Sequence, residues 1–146
     1  MTQATSHSLP LEKRGYLYNW PAVMHGAASS ETNPSWVQGI CPAGWHVPSH
    51  AEWIQLTDYV SSQSVYSCDG NSSHIDKTIA SAEGWNSDYD YHHCTVGNNQ
   101  GANNATGFSA FPAGQCIGET TYFNGGSVTR FWSSTATNSG NKWMCS

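Results

Sequence analysis

The amino-acid sequence predicts a domain of the α+β class, and three observations lead to that prediction. Signals for helices fall within the first 84 residues, whereas signals for short strands and loops fall after them. Charged residues are scarce, since Asp, Glu, Lys and Arg make up 10% of the 146 residues, against about 25% in an average soluble protein. A run of helices followed by a run of strands is typical of the α+β class.

The first predicted elements are short. Residues 1–14 are polar and have no periodic pattern, which predicts a flexible leader, and residues 15–146 have the size of a single domain. The apolar run Tyr16–Tyr18 favours a short strand. Pro21 then suits the first turn of a helix that Gly26 would end.

The clearest helix is predicted from Ser49 to Ser61. Ser49 and Glu52 have the spacing of a capping box, in which each of the two side chains accepts a hydrogen bond from the other residue's backbone N–H. Apolar residues then recur three and four positions apart, and they predict one buried helix face made of Trp53, Leu56 and Val60.

A weaker helix is predicted between Ser73 and Gly84, with Asp76 in its first turn and the glycine at a left-handed stop. Its buried face would consist of Ile75, Ile79 and Ala82. Residues 85–146 are rich in Asn, Asp and Gly and contain only short apolar runs. Short strands joined by long loops are therefore expected in the second half.

Composition excludes two classes of partner and indicates a compartment. A net charge of −5, with five scattered Lys and Arg residues, offers no basic surface to nucleic acid. No stretch approaches the roughly 20 apolar residues of a membrane helix, so membrane insertion is not expected. Five cysteines without a Cys-x-x-Cys pair favour disulfides over a metal or redox site. We expect a secreted or cell-surface protein whose signal peptide precedes this sequence, because Met1–Ser8 has no signal-peptide pattern.

Four segments carry a resemblance to a known family. They are GYLYNWPAVM at Gly15–Met24, GICPAGWHVPSHAEWIQL at Gly39–Leu56, ATGFSAFPAG at Ala105–Gly114 and FWSST at Phe131–Thr135. In this order and approximate spacing, the set resembles the Fibrobacter succinogenes major paralogous domain, a family of exported bacterial proteins. The resemblance implies a C-type-lectin-like fold related to formylglycine-generating enzymes, with two to three short helices packed on short, twisted antiparallel strands that support long loops.

The resemblance also bears on the end of the chain and on the cysteines. Family members continue through further strands to a cysteine that is expected to pair with the one matching Cys41. The resemblance therefore implies that this domain is truncated at its C-terminus, or is completed by another chain, and that Cys41 is unpaired. The remaining four cysteines allow three pairings, of which we favour Cys68 with Cys94 and Cys116 with Cys145.

The resemblance and the composition of the second half together favour a recognition module over an enzyme. Aromatic residues among Asn, Ser and Gly are typical of adaptable binding loops on a rigid scaffold. We expect these loops to bind a protein or a glycan. The predicted ligand-binding residues are Tyr122, Phe123, Asn124, Arg130, Trp132, Asn138, Asn141 and Trp143.

Some members of this lectin-like group are targets of diversity-generating retroelements, which mutate codons across the C-terminal part. The unlike residues from Gln115 to Arg130 suit such a hypervariable segment. Trp132 is equally compatible with a place in the core. The aromatic residues of the earlier motifs are predicted to be core residues because a small domain needs their apolar area; they are Trp20, Trp45, Trp53 and Phe108.

A calcium ion is the one cofactor that the sequence suggests. Asn86, Asp88 and Asp90 are two positions apart and offer the oxygen ligands that calcium prefers, although a solvated loop has the same composition.

Histidines give no comparable signal. His46 and His50 are separated by a helix cap, and the neighbours His92 and His93 would point in different directions on a strand. Neither pair favours a transition-metal site.

Two alternative functions remain open. In the first, the domain is a structural subunit of a surface filament or exported assembly, and a homo-oligomer or a strand-donating neighbour supplies the closing strands. In the second, it is an enzyme related to the formylglycine-generating group, which works through a reactive cysteine pair late in the chain. Cys145 is the only cysteine in that region and nothing beside it matches, so we predict no enzymatic activity.

Overall fold

The computed structural model describes residues 15–88, 93–118 and 120–136 and the backbone of residues 142–145. Within them lie three short α-helices, two 3-10 turns and four strands, so the predicted α+β class is confirmed. The helices are α1 (Trp20–Met24), α2 (His50–Ser62) and α3 (Asp76–Ile79), the 3-10 turns are Ser64–Tyr66 and Gln100–Ala102, and the strands are β1 (Gln115–Ile117), β2 (Thr121–Phe123), β3 (Phe131–Ala136) and β4 (Lys142–Cys145).

The strands form two separate antiparallel pairs. Strand β1 pairs with β2, with Gln115 opposite Phe123, and β3 pairs with β4, with Phe131 opposite Cys145. The second ladder is irregular between Trp132 and Ala136. The antiparallel pairing expected from the resemblance is therefore present, in two hairpins of two strands each.

Helix α2 is the element that local sequence signals specify best. The Ser49 side chain accepts a hydrogen bond from the Glu52 N–H, and the Glu52 carboxylate accepts one from the Ser49 N–H, so the predicted capping box is formed. Val60 is fully buried and Trp53 and Leu56 are half-buried, which is the predicted face. The helix starts directly after its cap, as predicted, and ends one residue later than predicted.

Two predicted elements differ from the structure. Helix α3 is a single turn, because the carbonyl groups that would continue it are taken by the loop before β1: Thr78 O accepts from the Thr106 N–H and Ile79 O from the Ala110 N–H. Gly84 therefore ends no helix. Tyr16–Tyr18 is not a strand; its side chains are exposed, and the Tyr18 carbonyl accepts a hydrogen bond from the Trp132 indole.

The apolar core is small. Val23 and Met24 of α1 pack with Val37 and Val47, and the partly buried Trp20, Cys41 and Trp132 surround them. Helix α1 begins at an Asn19 cap whose side chain accepts from the Ala22 N–H, and it ends at left-handed His25, next to the glycine predicted to end it.

Strand β3 is hydrogen-bonded to several residues in the first third of the chain. Ser133, Ser134 and Thr135 are buried, although all three are polar. The Ser133 carbonyl accepts from the Trp20 indole, the Ser134 N–H donates to Pro48 O, and the Thr135 hydroxyl accepts from the His50 N–H. Because these polar groups have hydrogen-bond partners, the bonds offset the free energy lost when the groups are removed from water. We call Ser133–Thr135 the polar hub.

The cysteines confirm one predicted disulfide and correct the other. Cys68 and Cys94 are bonded, with their Cα atoms 5.7 Å apart. Cys116 is a free thiol, so the predicted bond to Cys145 is not formed: Cys116 lies on the β1–β2 hairpin, whereas Cys145 belongs to the separate β3–β4 pair. Cys41 is also free. Among the described residues, no helix is long and apolar enough to span a membrane.

Candidate functional site: an aromatic groove

An open groove with a volume of about 1060 Å³ runs between the start of the described chain, the β1–β2 hairpin and the start of β3. Its floor includes Val23, Cys41 and Val47, which belong to or pack against the apolar core. Most of the other side chains that line it are apolar. The volume is slightly above the range typical of ligand pockets, about 300–1,000 Å³.

Three aromatic rings form one wall of the groove. Trp53 of α2 lies 5.3 Å from Phe131 and 6.2 Å from Phe108, measured between ring centroids, and Phe108 and Phe131 are 5.6 Å apart with an edge-on geometry. The Trp53 indole also donates a hydrogen bond of 3.3 Å to the Trp132 carbonyl. Such contacts fix the rings, so this wall is preorganised.

Trp132 also lines the groove. Its indole donates a 2.8 Å hydrogen bond to the Tyr18 carbonyl, and Tyr18 packs edge-on against Tyr16 at 6.5 Å. Trp132 also packs against the apolar core. The two interpretations of this residue are therefore compatible, since one face supports the core and the residue also lines the groove.

The β1–β2 hairpin presents apolar side chains to solvent at the edge of the groove. Tyr122 is 70% exposed and Ile117 is 63% exposed, and both line the groove. A strand pair this short has little core of its own, so these two side chains are not needed to build one. Ile117 pairs with Thr121 and Tyr122 with Cys116, so the two side chains leave opposite faces of the hairpin.

Among the described residues that line the groove, Arg130 is the only one with a charged side chain. It is exposed, and its guanidinium makes no hydrogen bond or ion pair with the described part of the chain. The lining contains no Asp, Glu or His among the residues that the structure describes. Burial raises the pKa of the Cys41 thiol, so this thiol is held in its less reactive, protonated form.

The structure separates the other predicted ligand-binding residues. Phe123 is half-buried on β2, and Asn124 follows it with a left-handed backbone and an exposed side chain; neither lines the groove. Asn138 and Asn141 lie outside the described residues, and for Trp143 the structure gives only the backbone position on β4. Tyr122, Arg130 and Trp132 are thus the three predicted residues that the groove brings together.

Two aromatic residues predicted for the core were assigned wrongly. Trp45 is 72% exposed, because it ends a tight turn in which its N–H donates to Pro42 O. Phe108 is 38% exposed and belongs to the aromatic wall. Trp20 and Trp53 are partly buried, in line with their predicted packing role. The sequence did not single out Tyr16, Tyr18 or Phe131 as groove residues.

The loop suggested for calcium is occupied by contacts within the protein. The Asn86 amide donates to the Ser127 hydroxyl at 2.8 Å, and the Asn86 N–H donates to Gly126 O. Asp88 is half-buried and its N–H faces Gly97 O, while Asp90 lies outside the described residues. Calcium at this loop stays a prediction.

A second cluster lies around the disulfide. Ligand atoms of Cys68, His93 and Cys94 lie within 4.8 Å of one another, and so do those of Asp69, His74 and Cys94. Sequence reasoning dismissed His93 as one of two adjacent histidines and overlooked His74. The signal that could have indicated them is the pairing of Cys68 with the histidine six residues later and of His93 with its neighbour Cys94.

His74 and Asp69 are joined by a hydrogen bond in this cluster. The His74 Nδ1 lies 3.1 Å from Asp69 Oδ1. Desolvation acts to raise the pKa of the Asp69 carboxyl, but hydrogen bonds from His74 and the Asn71 N–H, with the charges of His74 and His93, hold that pKa below its ordinary value. Asp69, His74 and His93 are therefore electrostatically coupled.

Comparison with known proteins adds one match. The family model described as Fibrobacter succinogenes major domain matches residues 2–146, which is nearly the whole chain and more than the four motifs cover. No curated protein and no solved structure matches the chain.

Proposed function

Because the chain belongs to the Fibrobacter succinogenes major domain family, whose name specifies no activity, we propose its function from the groove: it is a secreted or cell-surface recognition module of C-type-lectin-like fold that binds an extended segment of a partner protein. The observation that carries this proposal is the groove itself, which leaves several large aromatic side chains exposed on a fixed floor. Exposed aromatics on a rigid base provide contact area at low entropic cost.

The lining of the groove favours a protein ligand over a glycan. Its walls are mostly apolar, and its polar side chains are few and scattered, whereas sugars need several convergent amides or carboxylates beside each stacking ring. Arg130 adds one positive charge at the groove. We therefore propose a ligand segment with alternating apolar side chains and one carboxylate that pairs with Arg130.

Binding also fits the chemistry of the groove better than catalysis does. General acid–base catalysis needs a group that exchanges protons near neutral pH, and the described lining offers no carboxylate or imidazole for that role. Nucleophilic catalysis by Cys41 would need a lowered thiol pKa, and burial raises it. An enzyme related to the formylglycine-generating group is accordingly the weakest of the three proposals.

The segment from Gln115 to Arg130 contains the exposed β1–β2 hairpin that edges the groove. If a diversity-generating retroelement acts on the gene, we propose that it changes this hairpin, because exposed Tyr122 and Ile117 can vary without disturbing the core. Sequencing many copies of the gene from one culture tests this idea. Substitutions concentrated at adenine-containing codons of the hairpin support it, and an even spread along the gene contradicts it.

The second candidate function is assembly through a donated strand. In the part of the chain that the structure describes, both sheets have two strands, so each has backbone edges that a third strand can pair with. Light scattering during size-exclusion chromatography distinguishes the candidates. A monomer supports peptide recognition, whereas an oligomer that Ile117→Asp dissociates supports strand donation.

The test of the leading proposal is selection from a displayed library of random peptides. We expect the enriched peptides to carry alternating apolar residues and one acidic residue. Tyr122→Ala should weaken the best peptide by about 30-fold or more, the threshold of an interface hot spot. Tyr59→Ala is the matched control, because Tyr59 is also exposed but lies on α2 outside the groove lining. It should leave binding unchanged.

Arg130→Gln should remove the preference for an acidic residue and reduce the salt dependence of binding, because the pair with Arg130 is the charged contact. Peptides that bind wild type and Tyr122→Ala equally well would contradict the proposal. So would a library that yields no peptide while a glycan array gives saturable binding.

A further inference from the structure

The residues around the Cys68–Cys94 disulfide have the composition of a zinc site. Two groups of possible ligands lie there, one made of Cys68, His93 and Cys94 and the other of Asp69, His74 and Cys94; the ligand atoms within each group lie within 4.8 Å of one another, and Cys94 belongs to both. Tetrahedral zinc with sulfur and nitrogen ligands places neighbouring ligand atoms about 3.3–3.8 Å apart. A zinc site therefore requires the two bonded sulfurs to separate and the imidazoles to approach them.

The local backbone holds part of this set in place without the disulfide. The turn from Cys68 to His74 is closed by two backbone hydrogen bonds, from the Cys68 N–H to His74 O and from the Asn71 N–H to Cys68 O. Side-chain bonds from the Asn71 N–H to Asp69 Oδ1 and from the Ser73 N–H to Asn71 Oδ1 reinforce the turn. Cys68 and His74 therefore stay neighbours whether or not Cys94 is bonded.

Asp69 gives His74 the orientation of a metal ligand. Its carboxylate is hydrogen-bonded to Nδ1 of His74, which leaves Nε2 as the nitrogen available to a metal. Metal-binding histidines almost always have such a partner on their second nitrogen, because it fixes the ring and raises its basicity. In the described structure, Nε2 itself has one hydrogen-bond contact, a long one of 3.5 Å to the Asn71 side-chain amide.

Solvent has access to the cluster. Cys68 and His93 line a second cavity, with a volume of about 380 Å³, and neither cysteine of the disulfide is fully buried. Both an ion and a reductant can therefore reach the sulfurs. Lys77 lines the same cavity, where its ammonium donates to the carbonyls of Thr95 and Asn98 and holds the loop that carries Cys94.

We propose that reduction of the Cys68–Cys94 disulfide creates a zinc site made of Cys68, Cys94, His74 and His93, with Asp69 as the residue that orients His74. The disulfide and the metal then exclude each other, because a zinc ligand must be a thiolate. The same two loops are cross-linked under oxidising conditions by sulfur and under reducing conditions by zinc.

The chemical balance is simple. A thiol reductant supplies two electrons and two protons, so the disulfide becomes two protein thiols while two reductant thiols become one disulfide. Binding of Zn²⁺ then displaces one proton from each cysteine thiol into solvent and forms two zinc–sulfur bonds. Two neutral imidazoles complete the coordination, and the site has no net charge.

The test uses the full chain with Cys41, Cys116 and Cys145 replaced by serine, so that the disulfide pair provides the only thiols. The protein is reduced with a phosphine, desalted under argon and titrated with Co²⁺ and then Zn²⁺. We expect one ion per chain, visible d–d bands of tetrahedral cobalt and a near-ultraviolet thiolate-to-cobalt band, all displaced by Zn²⁺. The unreduced protein should show none of these bands.

Histidine variants test the ligand set. Loss of an outer partner of a zinc ligand costs about 10- to 100-fold in affinity, so Asp69→Asn should fall in that range, and His74→Asn or His93→Asn should weaken zinc by at least about 100-fold. His25→Asn is the matched control, because His25 is exposed and belongs to neither group.

Circular dichroism of each reduced variant before titration shows whether it is folded. Equal cobalt spectra before and after reduction would overturn the proposal. Wild-type affinity in both His74→Asn and His93→Asn would overturn it as well.

Discussion

Glu52 connects three parts of the chain through one carboxylate. One oxygen accepts hydrogen bonds from the backbone N–H groups of Ser35 and Ser49, and the other lies 2.6 Å from the His46 ring. Burial acts to raise the pKa of this carboxyl, but the bonds from Ser49, His46 and Ser35, with the charge of His46, outweigh burial and hold the pKa below its ordinary value of 4.5.

This lowered pKa predicts a loss of stability in acid. The contribution of Glu52 to the free energy of unfolding is complete above pH 4.5, the ordinary value, and is lost as the pH falls through the lower folded value. Urea unfolding between pH 7 and pH 3 measures it. We expect Glu52→Gln to give a flatter dependence on pH in this range, and parallel curves for variant and wild type would contradict the assignment.

Gly39 is a second residue with a specific physical requirement. Its backbone is left-handed, and a Cβ atom there would collide with the Val23 carbonyl and the Val47 side chain in the core. Gly44 is also left-handed but has open space around it. Both alanine variants incur the cost of a left-handed backbone, about 1–2 kcal/mol, and Gly39→Ala incurs the collision in addition.

Gly39→Ala should therefore have a free energy of unfolding about 1–3 kcal/mol lower than that of Gly44→Ala, as measured by thermal and urea unfolding. Equal stabilities for the two variants would show that the chain around Val23 adjusts freely.

At the scale of elements, α2 depends on its cap. The Ser49 side chain is fully buried and accepts the hydrogen bond from the Glu52 N–H, so Ser49→Ala leaves that donor without a partner. We expect a loss of about 1–2 kcal/mol in the free energy of unfolding. Ser62→Ala, at the exposed end of the same helix, is the control and should change stability by less than about 0.5 kcal/mol. Equal losses of stability in Ser49→Ala and Ser62→Ala would show that the cap is not the source of the stabilisation.

The contrast between α2 and α3 shows what the sequence can predict. All the signals for α2 are local, since its cap and its apolar face lie within twelve positions of one another. Helix α3 has a similar pattern, but residues 104–110 supply hydrogen bonds to its carbonyl groups from about 30 positions away and draw the chain into a bridge between Ala80 and Ala110. No local pattern reports that competition, so α3 was predicted too long.

The groove was only partly predictable for the same reason. Tyr122 and Arg130 were chosen because aromatic and polar residues in a Gly- and Asn-rich half indicate binding loops, and both line the groove. Tyr16 and Tyr18 lie more than 100 positions earlier and reach the groove only through the hydrogen bond from the Trp132 indole to the Tyr18 carbonyl. Trp45 was assigned to the core because composition does not report the turn that exposes it.

At the scale of the whole molecule, the disulfide cross-links two distant parts of the chain. It closes a loop of 26 positions between Cys68 and Cys94. The chain-entropy relation gives about 3.5 kcal/mol for a loop of this length. Reduction in the presence of a metal chelator should lower the free energy of unfolding by about that amount, as measured by urea unfolding, and should have no effect on Cys68→Ser/Cys94→Ser. If reduction left the free energy of unfolding of the wild type unchanged, other contacts would already hold the two loops together.

The polar hub has a consequence for how the family can change. Ser133–Thr135 binds α1, the loop after it and the start of α2 through hydrogen bonds that involve mainly backbone groups. The fold therefore depends little on the size or polarity of the side chains at the groove edge. We expect substitutions at Tyr122 or Ile117 to change the exposed surface with little loss of stability, because both side chains are largely exposed. If the groove binds a ligand as proposed, one scaffold can then present many different binding surfaces.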